Sequence, residues 1–292
     1  MSVRSTEARA GRDKKMKKIF FLLSIAMTLL FTSCSKDDDD ESKDSYLHEI
    51  MVREHKYKFG SADSFGEMYE NYFYDCNGNL LRKKTNYYIP VVQGRISHEY
   101  TYKYDTNNRL IEKNDYTLTL LDHKYIYSYN SIDSVSKMIV YDDDGDLYET
   151  WTYEYDNMKK LVKSTVVENW LSGNFGYIND YTYSGNNVTK TSYNLEDGTL
   201  FGITLDEYDS HGNLTSNTWT NGETGKSTKQ QGITYEYLSN GKISKTTSWS
   251  MFPNDLTYKN YTYNADGTLQ KIHISYSYKT EESDLIYEYI YK

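Results

Sequence analysis

The chain has 292 residues, of which 33 are Tyr and two are Pro, and its formal net charge is −9. Aromatic residues favour strands, so this tyrosine content predicts an all-β protein, long enough for one large domain or two ordinary ones. Residues 1–33 hold seven Lys and Arg against two Asp and Glu, so the remainder has 26 cationic and 40 anionic residues, a net charge of −14. A nucleic-acid-binding surface needs the opposite sign, and we therefore expect no nucleic-acid partner.

The N-terminal segment has the order of a secretory signal. A basic start at Met16 precedes a mostly apolar run over residues 19–31. This run is too short to span a bilayer but matches the core of a signal peptide. We therefore interpret residues 1–33 as a signal peptide and Met16 as the true initiator.

The tetrapeptide FTSC ends at Cys34 and resembles a lipobox, in which the cysteine is lipidated and becomes the new N-terminus. An ordinary cleaved signal with an incidental cysteine is the alternative. If Cys34 carries lipid through its sulfur, Cys76 has no disulfide partner, because the chain has two cysteines.

The segment SKDDDDESKDS follows Cys34 and is a block of like charge, which stays extended and predicts a solvated tether over residues 34–46. An acidic run directly after a lipidated cysteine resembles the export signal of Bacteroidota surface lipoproteins. The resemblance implies a membrane partner reached through the lipid anchor, an outer-membrane location and exposure at the cell surface.

Beyond residue 46, a motif with Tyr at alternate positions recurs every 25–30 residues, which is typical of a repeat architecture. Each of eight copies has an anchor tyrosine: Tyr74, Tyr104, Tyr129, Tyr155, Tyr183, Tyr208, Tyr237 and Tyr263. In seven copies the residue six positions on is aliphatic, and the residue four positions on is Gly, Asn, Asp or Lys. Gly, Asn and Asp tolerate a positive φ, so the pattern predicts a three-residue hairpin loop closed by a left-handed residue.

This loop also predicts the register of each hairpin. If the anchor tyrosine pairs with the aliphatic residue, the residues two positions further out face each other. The prediction places Tyr153 opposite Lys163 and, where the loop is one residue shorter, Tyr181 opposite Lys190. Such cation–tyrosine pairs each contribute about 0.2–1 kcal/mol.

The repeats predict one β domain over residues 47–292, a repetitive antiparallel meander of roughly seventeen strands. A twisted sheet this wide should curl into an open barrel or a layered shell. A transmembrane barrel is the alternative. It needs an apolar lipid-facing band, whereas alternate residues here are Tyr on one side and charged or hydroxyl residues on the other.

The units YDTNNRL and YDSHGNL resemble the RHS/YD repeat, which builds a spiralling β shell in large toxins. The similarity covers most of residues 69–292. The chain has no cargo domain, and eight units are too few to enclose another protein. The resemblance therefore implies the fold but not the toxin function.

We expect function in the segments that do not repeat, because folding already explains the repeated residues. The anchor turns should lie on one edge of the sheet and the connections between units, such as residues 141–147, on the other. Loops on a rigid scaffold commonly carry binding sites. Four residues in or near the second edge are the candidate ligand-binding residues: Trp151, Trp170, Trp219 and Trp249. The alternative is that these tryptophans only pack the strand ends.

Catalytic and metal-binding signals in the sequence are weak. The acidic stretch 142–146 is interpreted as a turn, with a loose calcium site as the alternative, and a hydrolase that uses paired carboxylates is the alternative to a non-catalytic protein. There is no GxSxG or HExxH, and the six histidines show no metal-ligand spacing. We therefore predict no enzyme activity, no cofactor and no metal site. The sequence predicts a non-catalytic surface lipoprotein that binds an extracellular ligand, with a glycan favoured. A structural or protein-interaction module of the cell envelope, for example a partner of a toxin or secretion system, is the alternative.

Overall fold

The computed structural model describes residues 47–291 apart from 59–67, 90–93, 170–174, 251, 253 and 279–280. The predictions on the signal peptide, on lipidation of Cys34, on the tether and on Trp170 lie outside these residues.

The described residues form eighteen β-strands. The strands are β1 (Leu47–Lys58), β2 (Met68–Tyr74), β3 (Leu80–Ile89), β4 (Gly94–Tyr104), β5 (Leu110–Thr117), β6 (Leu120–Tyr129), β7 (Val135–Tyr141), β8 (Leu147–Tyr155), β9 (Leu161–Glu168), β10 (Phe175–Ser184), β11 (Asn187–Asn194), β12 (Leu200–Tyr208), β13 (Leu214–Asn221), β14 (Ser227–Tyr237), β15 (Ile243–Ser250), β16 (Thr257–Tyr263), β17 (Leu269–Tyr276) and β18 (Glu281–Tyr291). Within the described ranges, no helix has the length and apolarity needed to cross a membrane.

Each strand pairs antiparallel with its neighbours in the chain, as β2 does with β1 and β3. The series continues without a break to β17 and β18. The last strand pairs with the first, with Val52 opposite Tyr287. The predicted all-β meander is thus confirmed, and the sheet curls until it closes into a barrel. Closure pairs both outer strands and so removes the exposed edges of an open sheet.

The turns of the repeat have the predicted geometry. In the first copy, the backbone N–H of Gly78 donates to the carbonyl of Asp75 at 3.0 Å. The Asp75 carboxylate accepts from the N–H groups of Asn77 and Asn79 at 2.9 and 2.8 Å. All seven residues four positions after an anchor have φ between 58° and 89°: Gly78, Asn108, Asp133, Lys159, Gly212, Gly241 and Gly267.

The predicted register is wrong by one residue beyond the anchor pair. Tyr153 lies opposite Ser164 rather than Lys163, although Tyr155 and Leu161 pair as predicted. A three-residue loop that ends in a left-handed residue forms a β-bulge, which inserts one extra residue after the anchor pair. All seven three-residue loops of the repeat show this shift.

The shorter loop after β10 has no bulge, and there Tyr181 lies opposite Lys190 as predicted. In the hairpins with a bulge, a different cationic residue can lie opposite the tyrosine that precedes the anchor by two positions. Lys83 lies opposite Tyr72, with its Nζ 5.0 Å from the ring centroid.

Strand alternation gives the barrel a tyrosine face, defined here as the side of the sheet that carries Tyr72, Tyr125 and Tyr153. Buried Val140 lies opposite Tyr125 on this face and is 1% exposed. Burial raises the pKa of Tyr72 far above its ordinary value. The other side, the opposite face, carries ion pairs such as Lys103–Glu112 at 2.7 Å.

Hydrogen bonds from tyrosine link most repeats to the one before them. The Tyr104 hydroxyl donates to the carbonyl of Leu80, the aliphatic residue of the preceding repeat, at 3.0 Å. Equivalent bonds of 2.8–3.0 Å join Tyr129 to Leu110, Tyr155 to Val135, Tyr183 to Leu161, Tyr235 to Leu214, Tyr263 to Ile243 and Tyr289 to Leu269. This series, named here the tyrosine ladder, explains why the repeat uses Tyr rather than Phe.

Candidate functional site

The meander places its loops at two rims. The first rim holds the turns after even-numbered strands, and the second rim holds the connections after odd-numbered strands. One second-rim connection, residues 141–147, was expected not to repeat, but it has the geometry of the repeat turn. Gly145 has a φ of 87°, and its N–H donates to the carbonyl of Asp142 at 3.2 Å.

Trp151 lies on β8 within the tyrosine face, opposite Val166. Its ring stacks with that of Tyr153, with centroids 6.3 Å apart and planes 19° apart. Its Nε1 donates to Oε2 of Glu149 at 3.0 Å. The hydrogen bond and the stacking fix the orientation of this partly buried indole.

Trp219 and Trp249 each cover a glycine of the neighbouring strand. A Cβ at Gly202 would lie 2.7 Å from Nε1 of Trp219, and a Cβ at Gly232 would lie 2.6 Å from Nε1 of Trp249. Both indoles therefore occupy the space that a side chain at the glycine position would need.

The described tryptophans do not form one group. Trp249 lies opposite Gly232, whereas Thr246 on the same strand lies opposite Tyr235, so Trp249 belongs to the opposite face. Trp219 lies on the tyrosine face but on β13, five strands from Trp151. Of the three, Trp151 alone lies beside buried ionisable side chains.

Glu149 and Glu168 lie directly opposite each other on β8 and β9. They are 4% and 7% exposed. Burial, and secondarily the negative charge of Glu149, raise the pKa of Glu168 above its ordinary value. Carboxylates that face each other across adjacent strands repel, so this pair lowers the stability of the folded protein.

The environment of this pair is aromatic. Tyr148 packs against the cluster of Tyr125 and Val140. The Tyr148 ring also meets the ring of His123 edge-on, with centroids 5.0 Å apart. We name the group Trp151, Tyr153, Glu149 and Glu168 the β8–β9 patch; it lies on the tyrosine face toward the second rim.

A second group of polar side chains lies on β4, β5 and β6. Donor atoms of His98, Asp115 and Asp122 all lie within 4.8 Å of one another. Neither this group nor the carboxylate pair was predicted from the sequence. The members of each group lie 7–24 positions apart along the chain, so that only the correct register, bulges included, brings them together.

An open depression of about 450 Å³ lies at the second rim beside the acidic turn 142–145. Lys124 and Ile126, which point to the opposite face, contribute to its lining. It is therefore separate from the β8–β9 patch.

The chain matches no known protein family and no curated protein. Among solved structures, it is similar to a porin-like protein from Bacteroides uniformis ATCC 8492, with 11% identity, a TM-score of 0.45 and coverage of 84% of this chain and 98% of the other. A porin-like protein from Bacteroides vulgatus ATCC 8482 has 11% identity, a TM-score of 0.39 and coverage of 71% and 97%. The TcdB2-TccC3-Cdc42 structure has 14% identity, a TM-score of 0.37 and coverage of 79% of this chain and 15% of the other. Similarities of this size carry no argument about function.

Proposed function

We propose that this protein is a non-catalytic, lipid-anchored protein of the outer membrane that binds a glycan through the β8–β9 patch. The observation that carries the proposal is the arrangement of Trp151. Its ring is held by a hydrogen bond to a buried carboxylate and is extended by the stacked ring of Tyr153. The RHS/YD-like repeats serve in this proposal as the rigid scaffold.

The chemistry of the patch suits a sugar. A pyranose ring presents C–H groups that pack on an aromatic face and hydroxyls that need a few well-placed polar partners. Trp151 and Tyr153 are partly exposed and offer adjoining ring surface. Glu149 is buried and orients the indole, so the aromatic surface is ordered before a ligand arrives, which lowers the entropy cost of binding.

The envelope location is supported by the sequence of residues 16–45. Cys76 is disulfide-bonded in the structure, whereas lipidation of Cys34 predicts a Cys76 without a disulfide partner. The proposal therefore requires a reduced Cys76 in the lipidated protein.

Affinity electrophoresis of the purified protein on a panel of polysaccharides tests the binding proposal. We expect retardation by at least one polymer, and we expect Trp151→Ala to abolish it. Trp249→Ala is the matched control, because that indole lies on the opposite face and should leave retardation unchanged. Equal retardation of both variants, or no retardation of the wild-type protein on any polymer, would contradict glycan binding at this patch.

A protein-interaction role is the second candidate, and the second rim favours it. Leu120 begins β6 at this rim, and Phe252 and Tyr278 lie in two of its connections; the three side chains are 72%, 63% and 53% exposed. Exposed apolar side chains that gather at one end of a molecule commonly mark a protein-binding surface. Stoichiometric co-purification of one envelope protein, lost on Leu120→Ser with Phe252→Ser, would support this role over glycan binding.

A further inference from the structure

The group of His98, Asp115 and Asp122 has the donor set of a metal site. Each residue offers one ligand atom, and the three atoms lie within 4.8 Å of one another. They come from three adjacent strands and combine one imidazole nitrogen with two carboxylate oxygens. From this geometry we propose that the tyrosine face holds one divalent transition-metal ion of the Zn²⁺ type at His98, Asp115 and Asp122.

Asp122 reaches the group because of a β-bulge. The pairing of β5 with β6 is regular up to Asp115 opposite His123, and then shifts so that Tyr116 lies opposite Leu121. Asp122 is the extra residue of the bulge. Bulges re-aim side chains and are frequent beside functional sites.

The turn between β5 and β6 holds this bulge in place and contains two residues with an unfavourable backbone conformation. Leu118 and Thr119 have φ values of 50° and 80°, a region that glycine or asparagine normally occupies. The N–H of Leu118 donates to the carbonyl of Ser97 on β4 at 2.9 Å, which ties the turn to the strand that carries His98.

The Thr117 hydroxyl orients two of the three ligands. It donates to Oδ2 of Asp122 and lies 3.0 Å from Nδ1 of His98. A hydroxyl has one proton, so a Thr117 that donates to Asp122 accepts from the N–H at Nδ1 of His98. This hydrogen bond leaves Nε2 as the basic nitrogen of the ring, so Nε2 is the atom with which His98 would bind the ion.

The charges and distances suit a first-row divalent ion. Two carboxylates that converge repel each other, and a cation between them reverses the sign of that interaction. Zn²⁺ binds imidazole nitrogen and carboxylate oxygen at about 2.0–2.2 Å, so binding would draw the three atoms inward from their present separation. Three protein ligands leave room for water as a fourth.

The test is isothermal titration of the chelator-treated full chain with ZnCl₂, with thermal unfolding followed in parallel. We expect one ion per chain and a higher melting temperature with Zn²⁺. Asp122→Asn keeps the size of the side chain and an acceptor for Thr117, and should weaken Zn²⁺ binding at least tenfold, as should His98→Gln. Circular dichroism without metal checks that both variants fold.

His273→Gln is the matched control. His273 also lies between two carboxylates, with Nδ1 2.8 Å from Asp284 and Nε2 3.7 Å from Glu282. These carboxylates lie at opposite nitrogens of the ring, so one ion cannot contact all three groups, and the variant should bind Zn²⁺ as the wild-type protein does. Unchanged Zn²⁺ affinity in folded Asp122→Asn, a loss of binding in His273→Gln alone, or no binding by the wild-type protein would overturn the proposal.

Discussion

At the scale of single residues, the recurring feature is the hydrogen bond from a tyrosine to the carbonyl of the preceding repeat. Tyr155→Phe removes the bond to Val135 at 2.8 Å and keeps the ring. A partly buried carbonyl then loses its partner, so we expect the free energy of unfolding to fall by about 1 kcal/mol. Urea unfolding measures the change. Tyr193→Phe is the control, because no hydrogen bond in the described part of the chain involves the Tyr193 hydroxyl, and an equal loss there would contradict a specific role for the ladder.

The carboxylate pair of the β8–β9 patch is the second feature at this scale. The pKa of Glu168 is raised in the folded state, by burial first and then by Glu149, so the native state binds more protons than the unfolded chain. Stability therefore falls as pH rises from the unfolded-state pKa through the folded-state pKa.

Glu168→Gln removes the charge at nearly constant volume. We expect it to raise the free energy of unfolding at pH 7 and to leave it almost unchanged at the acidic end, where Glu168 is already protonated. Urea unfolding between pH 4 and 8 measures this, with exposed Glu154→Gln on β8 as the control. If Glu168→Gln instead lowered stability at pH 7, the charged carboxylate would have a stabilising partner in the fold.

At the scale of the strand and its turn, most of the structure can be predicted from the sequence, because the interactions that determine it are local. Residue type predicts left-handed conformations for Gly78 and Asn108, and both residues have them. Lys159 has the same conformation with a φ of 61°, against its residue type, because the hydrogen bonds of the turn determine its backbone. Turn geometry was therefore predictable even where one residue disagreed with it.

The bulge after each three-residue turn was not predicted, and this omission explains why the carboxylate pair and the group on β4, β5 and β6 were missed. A shift of one residue in the register of two paired strands changes every pair of side chains that face each other beyond the bulge. Glu149 meets Glu168 in the observed register, and Asp115 meets His123. The tryptophans, by contrast, are predicted from their positions in or near the second edge, and position along the strand does not by itself tell which face a residue occupies.

At the scale of the whole molecule, closure is the property that local patterns did not settle. Neighbouring repeats specify each hairpin, whereas closure depends on the pairing of β1 with β18 across the full length of the domain. Leu47 and Tyr291 are partners in this pairing and both lie at the first rim. The two ends of the described chain are therefore adjacent. In the closed barrel every strand is paired on both sides, so no pairing depends on where the chain starts.

A circular permutant tests this closure. We would join residues 291 and 47 by a short flexible linker and open the chain between Ser239 and Asn240, two exposed residues of a first-rim turn. All strand pairings are kept, so the free energy of unfolding should stay within about 1 kcal/mol of the wild-type value. Opening the chain between Thr246 and Thr247 with the same linker is the control, and it should destabilise strongly because it cuts β15 inside its pairing with β14. If the turn permutant unfolded as readily as this control, β1 and β18 would not close the sheet in solution.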